Sequence, residues 1–101
     1  MTSDGQGPAT QPPEGYRRIY EGVALPPFYA VEMLRPLSGK TVWIKDDGGR
    51  CRHGVLKDVP WVKEDQTEDL PAIAFEDERA MYPRGIVCIA LYDLPRRGGA
   101  R

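Results

Sequence analysis

Cys51, His53 and Cys88 are the side chains of this chain best suited to holding a metal or attacking a carbonyl. Cys51 and His53 would share one face of an extended strand, because residues two apart point the same way. A structural zinc site takes four ligands, commonly with a Cys-x2–4-Cys pair. This trio is one ligand short, and its spacing is unlike that pattern. As a nucleophile and base, Cys51 and His53 would lie about two strand rises apart, with no third group to orient the base. Cysteines in strands are more often small buried hydrophobes. No metal, no catalytic residue and no cofactor is therefore expected, and the chain reads as non-enzymatic.

Two charged sets remain. Residues 58–82 carry eight acidic and two basic side chains. Glu64, Asp65, Glu68 and Asp69 crowd one stretch of it, and Glu76, Asp77 and Glu78 another. Such a surface either stays solvated or docks on a basic partner by long-range attraction. Residues 40–57 carry five basic and two acidic side chains. Arg50, Arg52 and Lys57, with Trp43 interleaved and Arg84, Tyr92, Arg96 and Arg97 further on, offer charge and stacking for single-stranded nucleic acid. The whole chain has a net charge of −1, so it is no polycation. The two blocks can also offset each other across one surface. Trp61, beside Pro60 in a loop, is either an anchor for a partner or a plug in one mouth of a small barrel.

The elements that place these residues start with a hairpin, KTVWIKDDGGRCRHGVLKDV, from Lys40 to Val59. Thr41 to Ile44 are β-branched or aromatic and suit a half-buried strand over Lys40–Lys45. Asp46-Asp47-Gly48-Gly49 is a turn, and Arg50–Val59 is the return strand. Gly54 inside that strand marks a bend. Before the hairpin, Phe28–Arg35 follows two prolines and places Phe28, Val31 and Leu34 on one stripe, which predicts a helix of about two turns. Pro36 stops it. Tyr16–Val23 has helix-like spacing broken by Gly22 and reads as an extended or irregular segment. After the hairpin, 63–69 reads as a flexible acidic loop. Leu70–Phe75 is a short strand, and Ala80–Tyr82 extends the next strand or makes a helical turn. Ile86–Tyr92 is apolar on both faces, as a central strand would be. Residues 1–15 and 95–101 have the Pro, Gly and polar content of disordered ends, leaving one domain over 16–94. No apolar run approaches the ~20 residues that cross a bilayer, and residues 1–15 lack the core of a secretion signal. A cytoplasmic setting with both thiols reduced is expected.

Helix, bent hairpin and late apolar strand together resemble the Sm and Sm-like family within the SH3-like small barrels. The resemblance covers about residues 27–92. It rests on Leu37, Gly39, Lys40, Val42, Ile44, Gly48 or Gly49, Gly54 and Leu56, then on Arg84-Gly85 with Ile86 and Ile89. It implies a mainly β fold: a small five-stranded barrel with one short N-terminal helix. Family members that bind RNA set an Asp and an Asn after the bent strand. Here the region is KDVPWVKED, with Asp58 at a shifted spacing and no Asn. The expected function is a small regulatory or adaptor module that binds another macromolecule, most often a protein. Trp61, Glu64, Asp65, Glu68 and Asp69, or a strand edge, would make the contact. The alternative is an Sm-like RNA binder using Trp43, Arg50, Arg52, Lys57 and Arg84.

Overall fold

Thr41-Val42-Trp43-Ile44 forms the heart of strand β2, Thr41–Asp46, in the computed structural model of the chain, which describes residues 11–93. Strand β3, Cys51–Asp58, returns beside it antiparallel, with Trp43 opposite His53 and Ile44 opposite Arg52. The turn is held by its first residue. Asp46 Oδ1 accepts hydrogen bonds from the backbone N–H of Gly48 and of Arg50, both at 2.9 Å. Gly49 has a φ of 89°, which a Cβ would penalise. Both strands fall within one residue of the expected bounds.

Gly54, with a φ of 152°, divides β3 into two working halves. Up to Val55 the strand pairs with β2. After it Leu56 pairs with Phe75 of β4, Ile73–Phe75, on its other side. The bend expected at Gly54 thus carries the sheet around a corner. β5, Ala80–Met81, adds two residues beyond β4, so this segment is a strand of its own.

β6, Ile86–Tyr92, lies between β2 and β1, Tyr16–Leu25. Its two faces are both buried. Ile86 and Ile89 join the main core, while Cys88 and Ala90 pack with Trp43 on the opposite face. β1 decides the reading of Tyr16–Val23, extended or irregular, in favour of the extended one. It is a ten-residue strand whose register with β6 slips twice, between Arg18 and Tyr20 and between Glu21 and Leu25. Those slips break the alternation that would have revealed a strand.

The sheet therefore has six strands, not five, in the order β1-β6-β2-β3-β4-β5. The sheet is not closed on itself. β1 and β5 remain at its two edges, and the two-residue β5 is too short to close against the ten-residue β1. Helix α1 runs from Pro27 to Leu34, one residue earlier than expected, with Pro in its first turn and Arg35–Leu37 continuing as a 3-10 turn. Leu34 and Ala30 enter the main core with Val42, Ile44, Leu56, Ile73, Phe75, Ile86 and Ile89. Val31 faces a separate cluster with Val62 and Leu70, which fastens the 59–70 segment to the helix.

The expected arm over 1–15 lies outside the described residues except for Gln11–Gly15, which make a bend and a turn. The expected tail over 95–101, with Arg96 and Arg97, lies wholly outside them. No helix among the described residues is long and apolar enough to cross a membrane.

Candidate functional site

The segment after β3 presents Trp61 to solvent while burying its neighbour. Val62 is 6% exposed against Val31 and Leu70; Trp61 is 77% exposed. Trp61 is therefore not the barrel plug that was one of its two expected roles, because its ring lies outside the core. The ring is not adrift, however. The Arg35 guanidinium lies 3.8 Å from its centroid, a cation–π contact. Arg35 is itself held: Nη1 donates to the carbonyls of Val59 at 3.2 Å and Pro60 at 3.4 Å, and Nη2 pairs with Glu32 at 2.9 Å. The helix end thus seats the tryptophan from one side and leaves it accessible.

The acidic residues that follow have an organised frame. Gln66 N–H donates to the Lys63 carbonyl at 3.0 Å, and the Gln66 side-chain carbonyl accepts from Lys63 N–H at 3.0 Å. The Gln66 amide also donates to the carbonyls of Glu68 and Asp69, at 3.4 and 3.2 Å. Composition alone predicted a flexible loop; one glutamine knits it. Glu64, Asp65, Glu68 and Asp69 are all exposed on it. Asp69 takes a φ of 54° and turns toward a second feature.

That feature is a groove of about 720 Å³ between the β2–β3 turn and β5. Asp46, Asp47, Arg50 and Arg52 come from the hairpin, Asp69 and Leu70 from the acidic loop, and Met81, Tyr82 and Arg84 from the β5 side. Arg52 sits opposite Ile44 and so lies on the core-facing side of β3, where its stem is part-buried. Its Nε is buried and has no hydrogen-bond partner among the described residues. An orphaned buried donor costs about 1–3 kcal/mol. Arg84 Nη2 donates to the Thr67 carbonyl at 2.7 Å, tying the groove's wall to the acidic loop. Asp47 N–H donates to the Gly85 carbonyl at 2.7 Å, tying its floor to the start of β6.

The basic set is thus only partly brought together. Arg50, Arg52 and Arg84 share the groove, but Lys57 is beyond the Gly54 bend, where Ser38 Oγ donates to its carbonyl at 3.0 Å. Trp43 corrects the expectation of a stacking platform. At 2% exposed it offers no ring face to a base, because it is packed against Cys88 and Ala90 on the outer side of the sheet. Cys51 and Cys88 each lie across from Lys45, with β2 between them. Burial raises both thiol pKa values, which keeps them poor nucleophiles. Among the described residues, no three His, Cys, Asp or Glu are placed to hold a metal.

Sequence reading missed Arg35, Tyr82 and the hairpin aspartates as site residues. Nothing in the spacing links Arg35 to Trp61. The Arg50-x-Arg52 alternation was the one available sign of the groove. Comparison with protein-family models, with curated proteins and with solved structures found no match.

Proposed function

We propose that this chain is a non-enzymatic module that binds another protein through Trp61 and the acidic loop beside it. The carrying observation is an indole that is 77% exposed yet seated on Arg35. An aromatic side chain held in place before binding loses little freedom when a partner covers it. Glu64, Asp65 and Glu68 lie exposed on the same loop and suit a partner segment rich in Lys and Arg. Strand addition is the less supported route. The two-residue β5 offers little backbone, and Arg17, Arg18 and Glu21 populate the β1 edge. An Sm-like RNA site is also less supported, because Trp43 is buried and the groove holding Arg50, Arg52 and Arg84 includes three aspartates.

The test is affinity capture from nuclease-treated extract with wild type, Trp61→Ala and Glu64→Lys/Asp65→Lys. A direct partner should be retained by wild type, lost from both variants, and released as salt rises. Trp61→Ala should keep its thermal midpoint, since an exposed ring contributes little to the fold. Capture of the same proteins by all three chains would sink the proposal.

A further inference from the structure

We propose that the groove between the β2–β3 turn and β5 binds a small organic oxyanion, its charged end on Arg50 and Arg52 and a flat ring against Tyr82. The site is distinct from Trp61. At about 720 Å³ it has the capacity of a small-molecule pocket. Its polar and apolar linings converge. Leu70 and Met81 are buried beneath it, and Tyr82 is exposed beside it. Phenol rings take flat apolar groups by offset or edge contact.

The charges are unequally spent. No described carboxylate is ion-paired with Arg50 or Arg52; the ion pairs of the described residues lie elsewhere. Arg84 already donates to Thr67. On the other side, Asp46 Oδ1 is occupied by two backbone N–H groups of its own turn. The Asp47 carboxylate lies against Gly85, where an added Cβ would meet it at 2.5 Å. The arginines are therefore freer to take a ligand than the aspartates are. The Arg52 Nε is closed off from the groove, so a ligand would meet Arg52 through the atoms that line it. A carboxylate or phosphate matches the guanidinium fork. The same three aspartates limit the ligand's charge. A run of phosphates would meet Asp46, Asp47 and Asp69 as well as the arginines, so a compact mono- or dianion fits better than a nucleic-acid strand.

Calorimetric titration of the full chain with AMP, benzoate, inorganic phosphate and a poly-U decamer tests this. One-to-one binding of AMP or benzoate with Kd below about 1 mM is expected. AMP ahead of benzoate names a phosphate as the charged end; the reverse names a carboxylate. Inorganic phosphate, lacking a ring, should bind at least tenfold more weakly than the better ligand. Arg50→Gln, an exposed change that leaves the core untouched, should weaken the ligand about tenfold, and Arg52→Gln at least as much. Tyr82→Ala should weaken the ringed ligand and leave inorganic phosphate unchanged. The proposal is overturned if wild type binds neither ringed ligand at 10 mM or so. It is equally overturned if Arg50→Gln binds as wild type does, or if the decamer binds more tightly than AMP.

Discussion

Gly49 and Gly85 both have left-handed backbone, with φ of 89° and 70°, but they face different surroundings. A Cβ at Gly49 meets nothing within 4 Å, whereas one at Gly85 meets Asp47 Oδ1 at 2.5 Å and its Cγ at 2.8 Å. Gly49→Ala should therefore cost about 1 kcal/mol of backbone strain in urea unfolding, and Gly85→Ala that strain plus a smaller amount for swinging the exposed Asp47 carboxylate aside. In an Asp47→Ala background the two costs should converge, because only the steric part of the Gly85 cost depends on that side chain. Equal costs in the wild-type background would remove Asp47 as the neighbour that matters. Asp77 gives a pH signature at the same scale. Its hydrogen bonds from the Arg79 side chain, at 2.7 Å, and backbone, at 3.0 Å, hold the carboxyl pKa below its ordinary 3.8. A carboxylate held ionised in the fold contributes stability above its unfolded pKa. That contribution fades as the pH falls below 3.8 through the lowered folded value. Asp77→Asn should thus lower the urea midpoint slightly near neutral pH, less so in high salt, and approach wild type as the pH falls through the lowered folded value.

Among the elements, the 59–70 segment depends on one small cluster. Val62 and Leu70 fasten it to Val31 of α1, and Arg35 then carries Trp61. Val62→Ala should cost about 1–3 kcal/mol of stability. It should also loosen the seat of the indole, seen as a lower order parameter for the Trp61 indole N–H by NMR, with that of Trp43 unchanged. If Val62→Ala costs stability but leaves Trp61 as ordered as before, Arg35 alone holds the ring. The elements readable in sequence were those with local signals. The β2–β3 hairpin carried its own turn residues, α1 its prolines and apolar stripe, and β6 a run apolar on both faces. β1 was readable only as extended or irregular, since Tyr16, Ile19, Tyr20 and Val23 imitate helical spacing where the register with β6 slips. The groove was not readable. Its walls come from 46–52, 69–70 and 80–84, and only the bend at Gly54 brings those segments together. The Trp61 seat depends on a contact between residues 26 positions apart, which no periodicity encodes.

For the molecule as a whole, the open strand order leaves an edge that must be kept from pairing with another copy. β1 is ten residues long and bonded to β6 on one side only. An unpaired edge of that length is a template for strand addition. Three features blunt it here. The register slips kink the strand. Arg18 and Glu21 pair with each other at 3.1 Å, with side chains 42% and 56% exposed. Arg17 reaches Asp93 at 2.8 Å with its side chain 58% exposed, keeping charge beside the edge. Exposed pairs of this kind contribute little to stability, about 0–1 kcal/mol each. Their larger effect is on association, because a second strand laid against β1 would have to desolvate them. Replacing Arg17, Arg18 and Glu21 together with Thr removes the charge and keeps strand propensity. The triple variant should unfold within about 1–2 kcal/mol of wild type, yet its light-scattering mass should rise with concentration where that of wild type stays constant. A wild-type mass of six or seven subunits would mean that the edges already pair in a ring, and the charges at β1 would then belong to an interface instead of guarding against one.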